Sequence, residues 1–149
     1  MDGFRLSAFV REDSLEFVFQ EAGLLTIKGE ISCLGGVVIS VYKTLEVIDD
    51  GTTDPPVQTF LYAYNALVRG ENSFLRHDNT HSYPGHADEH HRHELDWQTG
   101  KELPGSPMWV GPEGWPTLSK FIEEVEGWYW SHKEELPEPD SYGAIDLRG

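Results

Sequence analysis

The chain is poor in basic residues and in cysteine. Its 149 residues include 11 Lys and Arg against 26 Asp and Glu, giving a formal net charge of -15. A chain this acidic lacks the attraction for phosphate backbones on which a general nucleic-acid binder relies, so any such binding would need a local patch. Cys33 is the single cysteine, which excludes an internal disulfide and a multi-cysteine zinc site. We expect it to be a small buried residue.

Long apolar runs are also missing. No stretch approaches the roughly 20 apolar residues of a membrane-spanning helix, and the N-terminus lacks the basic-then-apolar pattern of a signal peptide. We therefore expect a cytoplasmic protein with no membrane partner. With 38% hydrophobic and 12% aromatic residues, the chain is too apolar for disorder and is expected to form one domain over residues 1–149.

Extended segments dominate the first half of the sequence. Two β-branched and aromatic stretches, 24–31 and 37–45, flank a diglycine at 35–36, which favours a hairpin or a bulged strand. Residues 57–68 are apolar at both alternating positions, as in a central strand covered on both faces. Residues 73–77 follow a turn and are expected to pair with that strand in antiparallel orientation.

A helix is predicted near the C-terminus. Residues 117–126 place apolar side chains on one face, with Thr117 as N-cap and Glu124 on the solvent side. Gly127 either weakens the middle of a longer helix or ends it. The acidic tail, 136–149, is predicted to be irregular. The expected fold is α+β, a meander-like antiparallel sheet of about four or five strands with the C-terminal helix packed on one face.

Histidines are concentrated in one part of the chain. All seven lie at or after His77, and six of them fall within 17 residues. This stretch belongs to a proline- and glycine-rich region, 78–116, with no sustained helical or strand period. Because loops longer than about 12 to 15 residues are usually functional or disordered, we expect a histidine-rich loop over 77–94 to form the active or binding surface.

One interpretation of these histidines is a metal site. Neutral imidazoles suit zinc, nickel or iron, and two of them with one carboxylate form an open site. His91 and His93 would share one face of an extended segment, with Asp78, Asp88 or Glu94 able to complete the set. The candidate histidine ligands are His81, His86, His90, His91 and His93.

A second interpretation is acid–base catalysis on RNA. Imidazoles exchange protons near neutral pH, and a cyclising ribonuclease also needs a cation near the phosphate oxygens. Here His91 or His93 would act as general acid or base, Asp78 would orient an imidazole, and His81 is a further catalytic candidate. Arg76 and Arg92 are the candidate phosphate ligands.

The order of motifs resembles the TumE family. The residues that carry the resemblance are the strand Tyr62-Ala63-Tyr64-Asn65, the segment Arg76-His77-Asp78-Asn79 with His81 beyond it, and the run His90-His91-Arg92-His93. Over roughly Glu30 to Val125, the resemblance implies a small α+β toxin of a type II toxin–antitoxin pair, with a helix-turn-helix antitoxin as partner. His77 departs from this pattern because the family usually has an aromatic residue there.

The charge distribution supports a third possibility. Residues 77–149 carry 15 acidic and 5 basic residues, against 11 and 6 before them. This asymmetry fits a solvated acidic face. It also fits a non-enzymatic module that docks a basic partner, or acids that surround a cation.

Overall fold

A computed structural model describes residues 8–20, 23–47, 57–79, 90–110 and 116–137. These ranges contain one α-helix and eight strands of a single antiparallel sheet. The elements are β1 (Val10–Asp13), β2 (Glu16–Gln20), β3 (Leu24–Cys33), β4 (Val37–Val47), β5 (Val57–Val68), β6 (Ser73–Asp78), β7 (His91–Glu94), β8 (Met108–Trp109) and α1 (Leu118–His132).

The sheet is a meander. Strands β3 to β8 lie side by side in chain order, and β1 and β2 both pair with β3 at one edge. The predicted α+β class with a helix on one face is confirmed, but the sheet has more strands than the four or five expected. The additional strands are short pieces at its two edges, where pairing with a neighbour decides the conformation and local sequence period is weak.

Of the two alternatives predicted at the diglycine, a hairpin or a bulged strand, the hairpin is confirmed. A turn of 3-10 helix at residues 34–36 joins β3 to β4, with φ of 72° at Gly35 and 75° at Gly36. Gly35 also lies under α1, because a Cβ built there would be 2.6 Å from the ring of Tyr129. The turn therefore needs glycine at position 35 both for its backbone and for the approach of the helix.

The core lies between α1 and one face of the sheet. The helix buries Phe121, Ile122, Val125 and Tyr129, and the Phe121 ring lies 5.5 Å from that of Tyr64 on β5. The opposite face of β5, which carries Ala63 and Asn65, is only half-buried. The coverage expected on both faces of β5 is therefore complete on the helix side and only partial on the other side.

The helix α1 extends to His132, beyond the predicted range of residues 117–126. Thr117 is the predicted N-cap and accepts a hydrogen bond from the backbone N–H of Lys120. Gly127 does not end the helix, because Trp128 in the next position stacks on Phe74 of β6 with ring centroids 3.6 Å apart. Packing against the sheet thus outweighs the low helix propensity of glycine. Most of the predicted tail, from residue 138 onward, lies outside the described residues.

The predicted loop over 77–94 was wrong at both of its ends. His77 and Asp78 are the last residues of β6, and residues 91–94 form β7, which pairs with β6. Alternation could not reveal β7 because all four of its residues are polar, and its conformation depends on hydrogen bonds to β6. The predicted site residues therefore lie largely on two paired strands.

We expect Gly35→Ala to destabilise the fold more than Gly36→Ala. Both substitutions place a side chain at positive φ, at a cost of about 1–2 kcal/mol. Only position 35 adds a clash with the buried Tyr129 ring, and such overpacking costs about 1–3 kcal/mol more. Urea unfolding of the two variants measures the difference, and equal losses would contradict the close approach of α1 at Gly35.

Candidate functional site

The pairing of β6 with β7 sorts the predicted site residues between two faces of the sheet. Asp78 lies opposite His91 and Arg76 lies opposite His93, while His77 lies opposite Arg92. Residues directly opposite in an antiparallel pair share a face, and the face alternates along the strand. Two groups result. The rear cluster, Arg76, Asp78, His91 and His93, faces away from α1, and the helix-side cluster, His77, Arg92, Glu94 and Glu124, faces toward it.

The carboxylate of Asp78 is the centre of the rear cluster. Its Oδ1 lies 3.0 Å from Nε2 of His91, and its Oδ2 accepts a hydrogen bond of 2.7 Å from Nε of Arg76. Both the Asp78 and His91 side chains have no solvent exposure. Burying a carboxylate in this way requires partners that supply positive charge or hydrogen bonds.

Glu102 orients the second imidazole. A bridge between Leu95 and Glu102 places Glu102 beside β7, where its Oε1 lies 2.6 Å from Nδ1 of His93. Burial alone would raise the pKa of Glu102, but hydrogen bonds from Ser106 and His93 outweigh it and lower that pKa. An ionised Glu102 accepts a hydrogen bond from Nδ1–H of His93, so Nε2 of His93 carries the lone pair that can bind a metal.

Three side chains of the rear cluster, Asp78, His91 and His93, have the donor set of an open metal site. One ligand atom each from Asp78, His91 and His93 fall within 4.8 Å of one another. Ligand atoms about 2.1 Å from a metal in tetrahedral geometry lie about 3.4 Å apart, so small side-chain shifts would bring these three to bonding distance. Two imidazoles and one carboxylate suit zinc, iron or nickel and leave a position for water or substrate.

The helix-side cluster joins α1 to the sheet. The guanidinium of Arg92 pairs with the carboxylates of Glu94 and Glu124, and His77 Nε2 lies 3.6 Å from Glu124 Oε1. Burial would raise the pKa of Glu124, but hydrogen bonds and charge from His77 and Arg92 lower it. Glu124 was expected on the solvent side of the helix, and its side chain is 38% exposed. It also contacts the sheet, because β7 presents Arg92 beneath it.

His90 lies apart from the rear cluster. Its Nδ1 is 3.0 Å from the hydroxyl of Tyr62, and the two rings stack with centroids 5.7 Å apart. Because His90 and His91 are successive residues, they face opposite sides of the sheet. His90 thus does not join the ligand set predicted for it.

The structure brings only some of the predicted site residues close together. Asp78, His91 and His93 come together with Arg76, whereas Arg92 is held by two carboxylates on the other face. His81, His86 and Asp88 lie outside the described residues. Glu102 was missed because the sequence around it has no strand period, and only its bridge to Leu95 reveals its position.

Comparison with known proteins assigns no function to these residues. The chain matches no protein-family model, no curated protein and no solved structure. The TumE resemblance therefore stays a prediction. Within the described ranges, no helix combines the length and apolar character needed to cross a membrane.

We expect Glu124→Gln to lower stability by about 1 kcal/mol near neutral pH, the upper end for a partly exposed ion pair. Because the folded-state pKa of Glu124 is lowered, its contribution is present above the ordinary carboxyl pKa and lost as pH falls through the folded value. The gap between wild type and variant should close in acid. Urea unfolding across pH measures it.

Glu123→Gln is the matched control for this prediction. Glu123 is on the same helix, and the substitution removes the same charge from an exposed position. An equal effect of the two substitutions, or a gap that does not depend on pH, would contradict the role of Glu124.

Proposed function

We propose that the protein binds a divalent transition metal, zinc, nickel or iron, through Asp78, His91 and His93. The observation that carries the proposal is the convergence of their ligand atoms to within 4.8 Å of one another. With three protein ligands, the metal keeps an open position at which it can activate water or polarise a bound oxygen.

The surroundings of the three side chains support this proposal. His93 has a carboxylate partner at its other ring nitrogen, as metal-binding histidines commonly do, and Asp78 is hydrogen-bonded by Arg76 through its second oxygen. A divalent ion would also provide charge for the buried Asp78 carboxylate. A purely structural ion pair between Asp78 and His91 would not require His93 or Glu102.

We expect zinc to bind and to stabilise the chain. At a free zinc concentration 100 times the dissociation constant, the stabilisation is about 2.7 kcal/mol, or roughly 5–10 °C in melting temperature for a chain of this size. His93→Gln should abolish most of this shift, whereas His90→Gln should keep it, because His90 faces the other side of the sheet.

Thermal unfolding after chelation and zinc re-addition measures these shifts, and elemental analysis gives the metal content. Glu102→Gln should weaken zinc binding by about 10- to 100-fold, as is typical for the partner of a ligating histidine. If zinc shifts the melting temperature of His93→Gln as much as that of wild type, the proposed ligand set is wrong.

A second candidate function is that of an RNA-cleaving toxin of the TumE type. The contact between His91 and Asp78 favours it, since a carboxylate that orients an imidazole prepares it for proton transfer. The role of phosphate ligand would fall to Arg76 alone, because Arg92 is paired with Glu94 and Glu124. The net charge of -15 suits a basic helix-turn-helix antitoxin as the partner.

For this candidate we expect overexpression to arrest growth and His91→Ala and His93→Ala each to relieve the arrest. His90→Gln is the control and should remain toxic. The measurement is the growth of a host that carries each inducible gene, with the protein level checked in every case. A harmless wild type, or full toxicity of both alanine variants, would exclude this candidate without affecting the metal proposal.

A further inference from the structure

A row of polar side chains runs across the sheet beside the proposed metal ligands. Ser40 on β4 lies opposite Asn65 on β5, Asn65 lies opposite Arg76 on β6, and Arg76 lies opposite His93 on β7. These four residues share the face turned away from α1. The row therefore ends at one of the three metal ligands, and Arg76 lies between that ligand and Asn65.

The guanidinium of Arg76 has hydrogen-bond donors that are not used within the described residues. Its Nε is bonded to Asp78, but its two terminal nitrogens form no hydrogen bond or ion pair with any residue in the described ranges. Its side chain is 39% exposed, so solutes can reach these nitrogens. Two parallel N–H donors are the geometry with which arginine binds a phosphate or carboxylate.

Asn65 carries an unsatisfied polar atom in the same row. Its Oδ1 is buried and has no hydrogen-bond partner among the residues that the structure describes. Buried polar atoms nearly always have partners, so this oxygen is open to a hydrogen bond from water or from a ligand. Rotation of the side-chain amide exchanges Oδ1 for Nδ2, which would donate to an anion in the same place.

The local charge changes sign when a metal binds. Arg76 contributes one positive charge and Asp78 and Glu102 contribute two negative charges, so these three side chains sum to -1. A divalent metal brings the sum to +1. An anion is then favoured locally although the whole chain carries -15, so metal binding and anion binding should strengthen each other.

Exposure indicates the route by which a ligand reaches the site. Asp78 and His91 are completely buried, whereas His93 is 16% exposed and Arg76 is 39% exposed. A ligand of the metal therefore arrives from the side of His93, where Arg76 and Glu102 are the more exposed neighbours. Its anionic group would meet the free donors of Arg76 on the way to the open metal position.

We propose that Arg76 and Asn65 form a binding site for a phosphate monoester next to the metal, an inference that rests on the proposed metal site. The metal, the arginine fork and the Asn65 amide are three separate groups that can each engage an oxygen. A phosphate monoester has three terminal oxygens, whereas a phosphodiester or a carboxylate has two. The ligand class is thus a phosphomonoester, with inorganic phosphate as its smallest member.

The test uses the full chain loaded with Co²⁺, whose visible spectrum reports changes at the metal. Inorganic phosphate and phenyl phosphate should each produce a saturable spectral change. Dimethyl phosphate and acetate should bind at least about tenfold more weakly, because each lacks one of the three oxygens. An equal response to dimethyl phosphate would overturn the assignment to a monoester and favour a nucleic-acid backbone.

Arg76→Gln should weaken phosphate binding by roughly 10- to 100-fold, the effect of losing a charged hydrogen-bond donor. Arg69→Gln is the matched control, since it removes the same charge from an exposed turn and should leave phosphate binding unchanged. Asn65→Leu provides a second variant that does not contact Asp78, and it should also weaken phosphate binding while retaining Co²⁺.

The outcomes separate the two proposals. If wild type binds neither Co²⁺ nor zinc, the metal site and the phosphate site are both wrong. If wild type binds Co²⁺ but phosphate leaves the spectrum unchanged, only the phosphate site is wrong. Equal phosphate affinity in wild type, Arg76→Gln and Asn65→Leu would also overturn the proposed phosphate site.

Discussion

The register between β6 and β7 is the constraint on which both side-chain clusters depend. Pairing Asp78 with His91 places one carboxylate and two imidazoles on the rear face, and pairing His77 with Arg92 places a cation beneath α1. A slip of one residue would exchange the faces of every side chain on β7. His91 and His93 would then lie beneath the helix, and Arg92 would lie beside Asp78.

The helix and the rear cluster are linked through this same strand. Arg92 contacts Glu124 of α1 from one side of β7, while the neighbouring residues 91 and 93 form the rear cluster on the other. The ion pairs that hold the helix therefore also keep β7 in place against β6. Glu102 adds a restraint from the following segment by binding His93. The donor atoms are thus positioned by strands and by carboxylate partners, which favours a site with little motion.

The acidity of the chain has different consequences at different places. Over the whole molecule the acidity repels phosphate. At the rear cluster, however, the charges of Asp78 and of the neighbouring Glu102 are balanced in part by Arg76. On the helix side, two carboxylates surround a single guanidinium, so Arg92 is not available to an external anion. Net charge therefore says little about a local site, since its sign depends on which side chains share a face and on whether a metal is bound.

Cys33 illustrates a prediction that composition alone carried correctly. It was expected to be a small buried residue, and its side chain has no exposure, so burial raises the pKa of its thiol and keeps it unreactive. The hairpin at 35–36, the pairing of β5 with β6 and the N-cap at Thr117 were also predicted, because each has a local signal in turn residues, alternation or capping. By contrast, β7 has no apolar residue and no such signal.

The sequence by itself determined the α+β class, the order of the main strands and the chemical character of the site residues, since hydrophobic pattern and residue type are local properties. Only the tertiary structure decided that Asp78 joins His91 and His93, that Arg92 and His90 face the other way, and that Glu102 completes the surroundings of His93. These relations depend on strand register and on contacts between distant residues, and a single chain read in order does not encode them locally.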